Sequence, residues 1–141
     1  MKFLVLLLLT IIAFSNCDNY DDLKVLVKNF EAKIQSLLAA KNFDGLSKYL
    51  EDHMNFSVNE VEGGQKQDFI NCLKNGTFVM FDGVAPKDIP EIEAYEENSQ
   101  INVYRGFPGK RYVDYLIEKQ NGTEFGYLLI HYFDYKSSAK F

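Results

Sequence analysis

A change of hydrophobic period partway along the chain constrains its fold more than any other feature. From Asp21 the apolar residues Leu23, Val27, Phe30, Ile34, Leu37 and Leu38 recur at steps of three and four, the spacing that lines one face of an α-helix. This predicts a long first helix running to about Lys41, with Asp21 and Asp22 at the end where the helix dipole favours anions. Asn42 then caps a shorter second helix whose stripe is Phe43, Leu46, Tyr49 and Leu50. Met54 to Val58 alternates as a short strand, and Gly63-Gly64 breaks the chain. Gln65 to Asn75 reads as a third helix that buries Phe69, Ile70, Cys72 and Leu73 before Gly76 ends it. Thr77 to Phe81 is β-rich, and the stretch through Asp82-Gly83, Pro86 and Pro90 reads as a loop.

After residue 90 the period drops to two. Glu91–Glu97, Gln100–Gly106, Arg111–Lys119 and Glu124–Tyr135 read as four strands, separated by turns at Asn98-Ser99, Phe107 to Lys110 and Asn121-Gly122. Helices first and an antiparallel meander afterwards predict one α+β domain over residues 21–136, with no repeat and no linker. On strict alternation Phe125, Tyr127, Leu129, His131, Phe133 and Tyr135 share one face of the last strand, and Leu128, Ile130 and Tyr132 the other.

Hydrophobic residues make up 47% of the chain, too many for a disordered polymer. The net charge is -5, and no basic cluster exceeds Lys110-Arg111, so nucleic acid and anionic membrane are poor partners. Lys2, the apolar run Phe3 to Phe14 and the small-residue site Ala13-Phe14-Ser15 have the layout of a secretory signal peptide over residues 1–15, with a competing cleavage position after Cys17. The run is shorter than the roughly 20 apolar residues of a membrane span, so after cleavage no membrane association is expected. The first cut leaves Cys17 and Cys72 as a pair that an extracellular compartment would oxidise to a disulfide; the second leaves Cys72 as a buried thiol. Asn55, Asn75 and Asn121 open Asn-x-Ser/Thr triplets, which secretion turns into candidate glycan sites, though Asn-Gly also marks turns.

The element order resembles the nuclear transport factor 2-like superfamily, whose fold is also called ketosteroid isomerase-like or cystatin-like. The resemblance is carried by the helix Leu23 to Lys41, the junction Lys41-Asn42-Phe43-Asp44-Gly45-Leu46, the strand entry Asp52 to Val58, and Gly63-Gly64 before the third helix. It spans about Asp21 to Tyr135 as a pattern, without invariant motifs. It implies a cone in which a curved antiparallel sheet wraps the first helix and leaves a pocket, and a homodimer formed through the outer face of the sheet. The two apolar faces of the last strand agree with that, because a monomer would leave one of them as a large exposed patch.

The fold hosts isomerases, dehydratases, cyclases, transport factors and noncatalytic binders, so chemistry must come from particular residues. Glu60, in Ser57-Val58-Asn59-Glu60, stands where the resemblance to the isomerases implies a base; the first helix carries no Tyr between Asp21 and Lys41 to supply their oxyanion donor. His131 and Asp114, on neighbouring strands, would make an acid–base pair of the dehydratase kind if they share a face and a register. Tyr104, Tyr112, Tyr127 and His131 are the expected polar lining of an apolar ligand pocket, and His53 is expected at the surface.

No His or Cys pair has metal-ligand spacing, and Asp18, Asp21 and Asp22 lack the glycine and closing glutamate of a calcium loop. Neither a phosphate loop, a dinucleotide fingerprint nor a Gly-x-Ser-x-Gly elbow occurs, so no metal or cofactor is expected. The Gln-x-Val-x-Gly wedge of the cystatin inhibitors is also missing. The resulting expectation is a secreted, noncatalytic domain that binds a small apolar ligand or a protein partner. The alternative is a pocket enzyme of isomerase or dehydratase type using His131 with Asp114 or Glu60.

Overall fold

The structure is a computed structural model that describes the backbone of residues 2–83, 91–107 and 111–136, and side chains for residues 21–81, 92–106 and 112–134. The side chains of the leader, of Cys17 and of Tyr135, the loop through Pro86 and Pro90 and the turn at Pro108 to Lys110 lie outside what is described. Three helices, α1 (Lys2–Ala39), α2 (Phe43–Ser47) and α3 (Lys66–Lys74), precede the main sheet in sequence, apart from the early strands β1 (Leu50–Val58) and β2 (Val61–Gly63). The meander β3 (Glu91–Glu97), β4 (Gln100–Phe107), β5 (Arg111–Lys119) and β6 (Tyr127–Lys136) follows. The six strands form one curved sheet in the order β2-β1-β6-β5-β4-β3, antiparallel throughout except that β1 lies parallel to β6.

Local chemistry sets the ends of these elements. Asn42 caps α2 by accepting from the Gly45 N–H at 2.8 Å, and a Cβ on Gly45 would come within 2.7 Å of Asn42 Nδ2 and 2.8 Å of Leu37. Only glycine admits that approach of α2 to α1. The β1–β2 and β3–β4 hairpins turn on two residues each, Asn59-Glu60 and Asn98-Ser99, all four with positive φ. That backbone matches the twist of the flanking strands. On α1 the seam Val27, Phe30 and Ile34 is buried against the concave side of the sheet, with Ala94, Ile101, Val103, Val113, Ile117 and Leu129 on the sheet side. Phe56, Phe69, Phe78 and Tyr132 form a ring cluster under α3, with centroid separations of 5.2 to 5.9 Å.

The backbone departs from the sequence reading where β1 already begins at Leu50, a position read as part of the second helix, where Val61–Gly63 forms a strand instead of a break, and in three further places. Thr77 to Phe81 is not a strand: the segment crosses the domain and ends in a 3-10 turn over Met80–Gly83. Phe78, Met80 and Phe81 are all buried, which no alternating strand allows, and the Phe81 N–H donates to the Tyr132 hydroxyl at 2.7 Å instead of to a ladder partner. Glu124 to Gly126 belongs to the turn before β6, because Glu124 is drawn back to the Tyr49 hydroxyl and to Lys33 while Phe125 packs on Phe30 at 5.9 Å.

Third, strict alternation fails within β6. Ile117 pairs with Leu129 but Leu116 pairs with His131, so Ile130 is an extra residue in the ladder. Tyr127 and Leu129 are buried before the bulge and Tyr132 and Asp134 after it, which places His131 and Phe133 on the opposite, convex side from Leu129.

The packing leads to a direct expectation. Phe69, fully buried and in contact with three other rings, should cost about 3–5 kcal/mol when replaced by alanine. Val79, 56% exposed, should change stability by less than about 0.5 kcal/mol on the same substitution. Urea unfolding of Phe69→Ala and Val79→Ala measures both.

Candidate functional site

The concave interior, where a pocket was expected, is occupied by a charge cluster. Glu31 lies on the helical seam, four residues after Val27 and three before Ile34, and is fully buried. Arg105 lies in register with Ile101 and Val103 on the inner side of β4 and is 1% exposed. Arg105 Nε donates to Glu31 Oε1 at 2.8 Å and its Nη2 to Glu31 Oε2, a two-pronged pairing, while the Tyr115 hydroxyl donates to Oε1 at 2.5 Å. Burial, and next the neighbouring Glu31 charge, push the Tyr115 hydroxyl well above the ordinary tyrosine range, so it remains a donor. The gap beside this cluster, walled by Phe30, Ile34, Phe81, Leu129 and Tyr132, has no room for a water molecule.

The predicted site residues separate across the sheet. Tyr127 faces inward and is 9% exposed, its hydroxyl raised by burial and by the nearby Glu96. Tyr104, Tyr112 and His131 lie on the convex side, so these four do not line a common pocket. Asp114 is also on the convex side, opposite Tyr104 on one neighbouring strand and Phe133 on the other, diagonal to His131.

His131 and Asp114 thus share a face, as the dehydratase-like alternative requires, but it is the side opposite α1 and the buried core. Partial burial raises the Asp114 carboxyl above its usual range, opposed by a hydrogen bond with Tyr104 and by the His131 charge. His131 Nε2 lies 3.3 Å from Asn55 Nδ2. Glu60 is at the tip of the β1–β2 hairpin, φ 71°, exposed and remote from the interior. His53 is exposed beside Gln65 at 3.2 Å.

Cys72 is a free thiol on α3, half-buried against the core, so the expected Cys17–Cys72 disulfide is not formed in this structure. Asn75 at the C-terminal cap of α3 and Asn121 in the β5–β6 turn are exposed; Asn55 is on the convex side of β1, between β2 and β6. Among the described residues no group of three His, Cys, Asp or Glu side chains converges, and no helix is long and apolar enough to cross a membrane.

Sequence reasoning missed Glu31 and Arg105. Each carried a signal: a carboxylate at a seam position of an amphipathic helix, and an arginine at a core-facing position of an alternating strand, each demanding a buried partner.

Two expectations follow from these clusters. Glu31→Leu and Arg105→Met should each lose about 3–5 kcal/mol in urea unfolding by stranding a buried charge, and the double variant should recover most of it. For Asp114 the folded pKa is raised, so its contribution to stability is full below the unfolded carboxylate pKa and is lost as pH rises through the raised value. Asp114→Asn should therefore melt above the parent near pH 7 and level with it at about pH 3.

No family model matches this chain, and no curated protein matches its sequence. Solved structures do match. An NTF2-like protein from Cytophaga hutchinsonii is 12% identical with a TM-score of 0.62, over 80% of this chain and 97% of that one. The S. rosetta CaMKII hub is 12% identical with a TM-score of 0.59, over 78% of this chain and 93% of that one. ActVI-ORFA from Streptomyces coelicolor is 12% identical with a TM-score of 0.59, over 84% of this chain and 99% of that one. At this level of identity the likeness establishes architecture and nothing finer: the chain has the nuclear transport factor 2-like, or cystatin-like, fold.

Proposed function

We propose that this protein is a secreted, noncatalytic binding domain that engages a protein partner, first of all a second copy of itself, through the convex face of its sheet. The observation that carries this reading is the contrast between the two sides of the sheet. On the concave side Glu31 and Arg105 are paired and the gap beside them has no room for water, whereas the convex side presents Tyr95, Tyr104 and Tyr112 at 53%, 45% and 45% exposure. Half-buried Leu116, Leu128 and Phe133 lie among them. Tyrosine-rich faces with aliphatic neighbours supply the large, rigid contact area that interface anchors use. The likeness to a protein named as a hub adds support for association. Secretion rests on the leader-like arrangement of Lys2, Phe3 to Phe14 and Ala13-Phe14-Ser15.

Light scattering at roughly tens of micromolar is expected to give a dimer mass, and Tyr104→Lys with Tyr112→Lys a monomer with the circular dichroism of the parent. A monomeric parent under those conditions overturns the self-association. Mass spectrometry of protein exported from a eukaryotic cell is expected to find an N-terminus at Asn16 or Asp18, with glycans on Asn75 and Asn121, both exposed. An intact Met1 refutes the secretory reading.

A further inference from the structure

The C-terminal ends of α1 and α3, the start of α2 and the segment before the 3-10 turn enclose a groove of about 360 Å³, and no residue of the sheet lines it. Leu38, Phe43, Leu73, Phe78 and Val79 make its apolar wall, and Val79 is 56% exposed there. The volume is that of about twelve waters at about 30 Å³ each, within the size range of small-molecule sites.

The charge at its rim is one-sided. Lys41 and Lys74, both exposed, are the charged residues of the lining, and no described lining residue is acidic, although the chain as a whole carries a net -5. Among the described residues neither lysine is in an ion pair, and Lys74 sits 5.5 Å from the centroid of the Phe43 ring that forms part of the wall.

The backbone under Lys41 adds an independent observation. Both helices end in the same capping motif. Behind α1 the Lys41 N–H bonds to the Leu38 carbonyl at 3.0 Å and that of Asn42 to Leu37 at 2.9 Å; behind α3 the Gly76 N–H bonds to Leu73 at 3.2 Å and that of Thr77 to Cys72 at 2.9 Å. The motif needs a left-handed residue at its centre, φ 67° at Gly76 and φ 53° at Lys41. The α3 end uses the glycine that this backbone prefers; the α1 end holds a lysine there against that preference. The helix C-termini oppose an anion with about half a charge each, less than the full charge on each lysine, so the rim remains net positive.

We propose that this groove binds an amphipathic monoanion, a carboxylate on an apolar body of about ten to twelve heavy atoms, the size of a medium-chain fatty acid. The carboxylate is met by Lys41 and Lys74 at the rim, and the body lies along Phe43, Phe78 and Val79. The site shares no residue with the convex sheet face, so it stands or falls separately from the association proposed above.

Calorimetric titration of the full chain with decanoate, below its micellar concentration, and with 1-decanol tests the assignment. Saturable one-to-one binding of decanoate is expected, about tenfold tighter than decanol. Lys41→Gly combined with Lys74→Gln should remove that preference and leave decanol binding unchanged. Glycine suits the left-handed backbone, so the variant keeps its fold, checked by its melting temperature. Val79→Glu should abolish both. Tyr104→Lys should bind decanoate like the parent. Absence of saturable decanoate binding, equal affinity for decanoate and decanol, or an unchanged preference in the double lysine variant overturns the proposal.

Discussion

The architecture depends on one buried ionic contact, the clamp of Arg105 and Tyr115 on Glu31. It joins the C-terminal part of α1 to the two strands at the centre of the meander, and it does so where water has been expelled from both partners. Removing a carboxylate and a guanidinium from water carries a large desolvation cost, recovered only when geometry is good and the remaining lone pairs are filled. Here the two-pronged arginine and the tyrosine hydroxyl fill them, and no described buried side-chain polar atom is left without a partner. An apolar helix face could slide along an apolar sheet; a face carrying this carboxylate has one register.

That clamp also decides what the concave side can do. Phe81, Met80 and Tyr132 close over the charge cluster and leave no space for water beside it. Phe81 is held there by a backbone that turns left-handed, φ 52°, and by its N–H bond to Tyr132. The groups best placed for chemistry in the interior are thereby committed to one another. The tyrosine-bearing convex face and the lysine-rimmed groove among the helix ends are surfaces that the clamp does not fill.

The bulge at Ile130 has an effect of the same rank. One additional residue in β6 reverses the side to which every later side chain points, because the side-chain period of a strand is two. Without it His131 would continue the buried row of Tyr127 and Leu129; with it His131 joins Asn55, Leu116 and Asp114 on the convex side. His131 and Asp114 share a face, and it is the side of the sheet turned away from α1.

Much of this was legible in order along the chain. The seam from Leu23 to Leu38, the strands starting at Glu91, Gln100 and Arg111, and the turns at Asn98-Ser99 and Asn121-Gly122 follow from period and turn chemistry, which are local properties. By itself the sequence determined an α+β order, helices before a meander, and the seam positions that would be buried. Only the tertiary structure decided which carboxylate found which guanidinium, since Glu31 and Arg105 are 74 residues apart. It alone decided that Thr77 to Phe81 caps the interior instead of joining the sheet, and that β6 changes face at Ile130. These outcomes rest on contacts between distant elements, where a buried charge must be paired and a ladder must close, and neither requirement is written within any one segment.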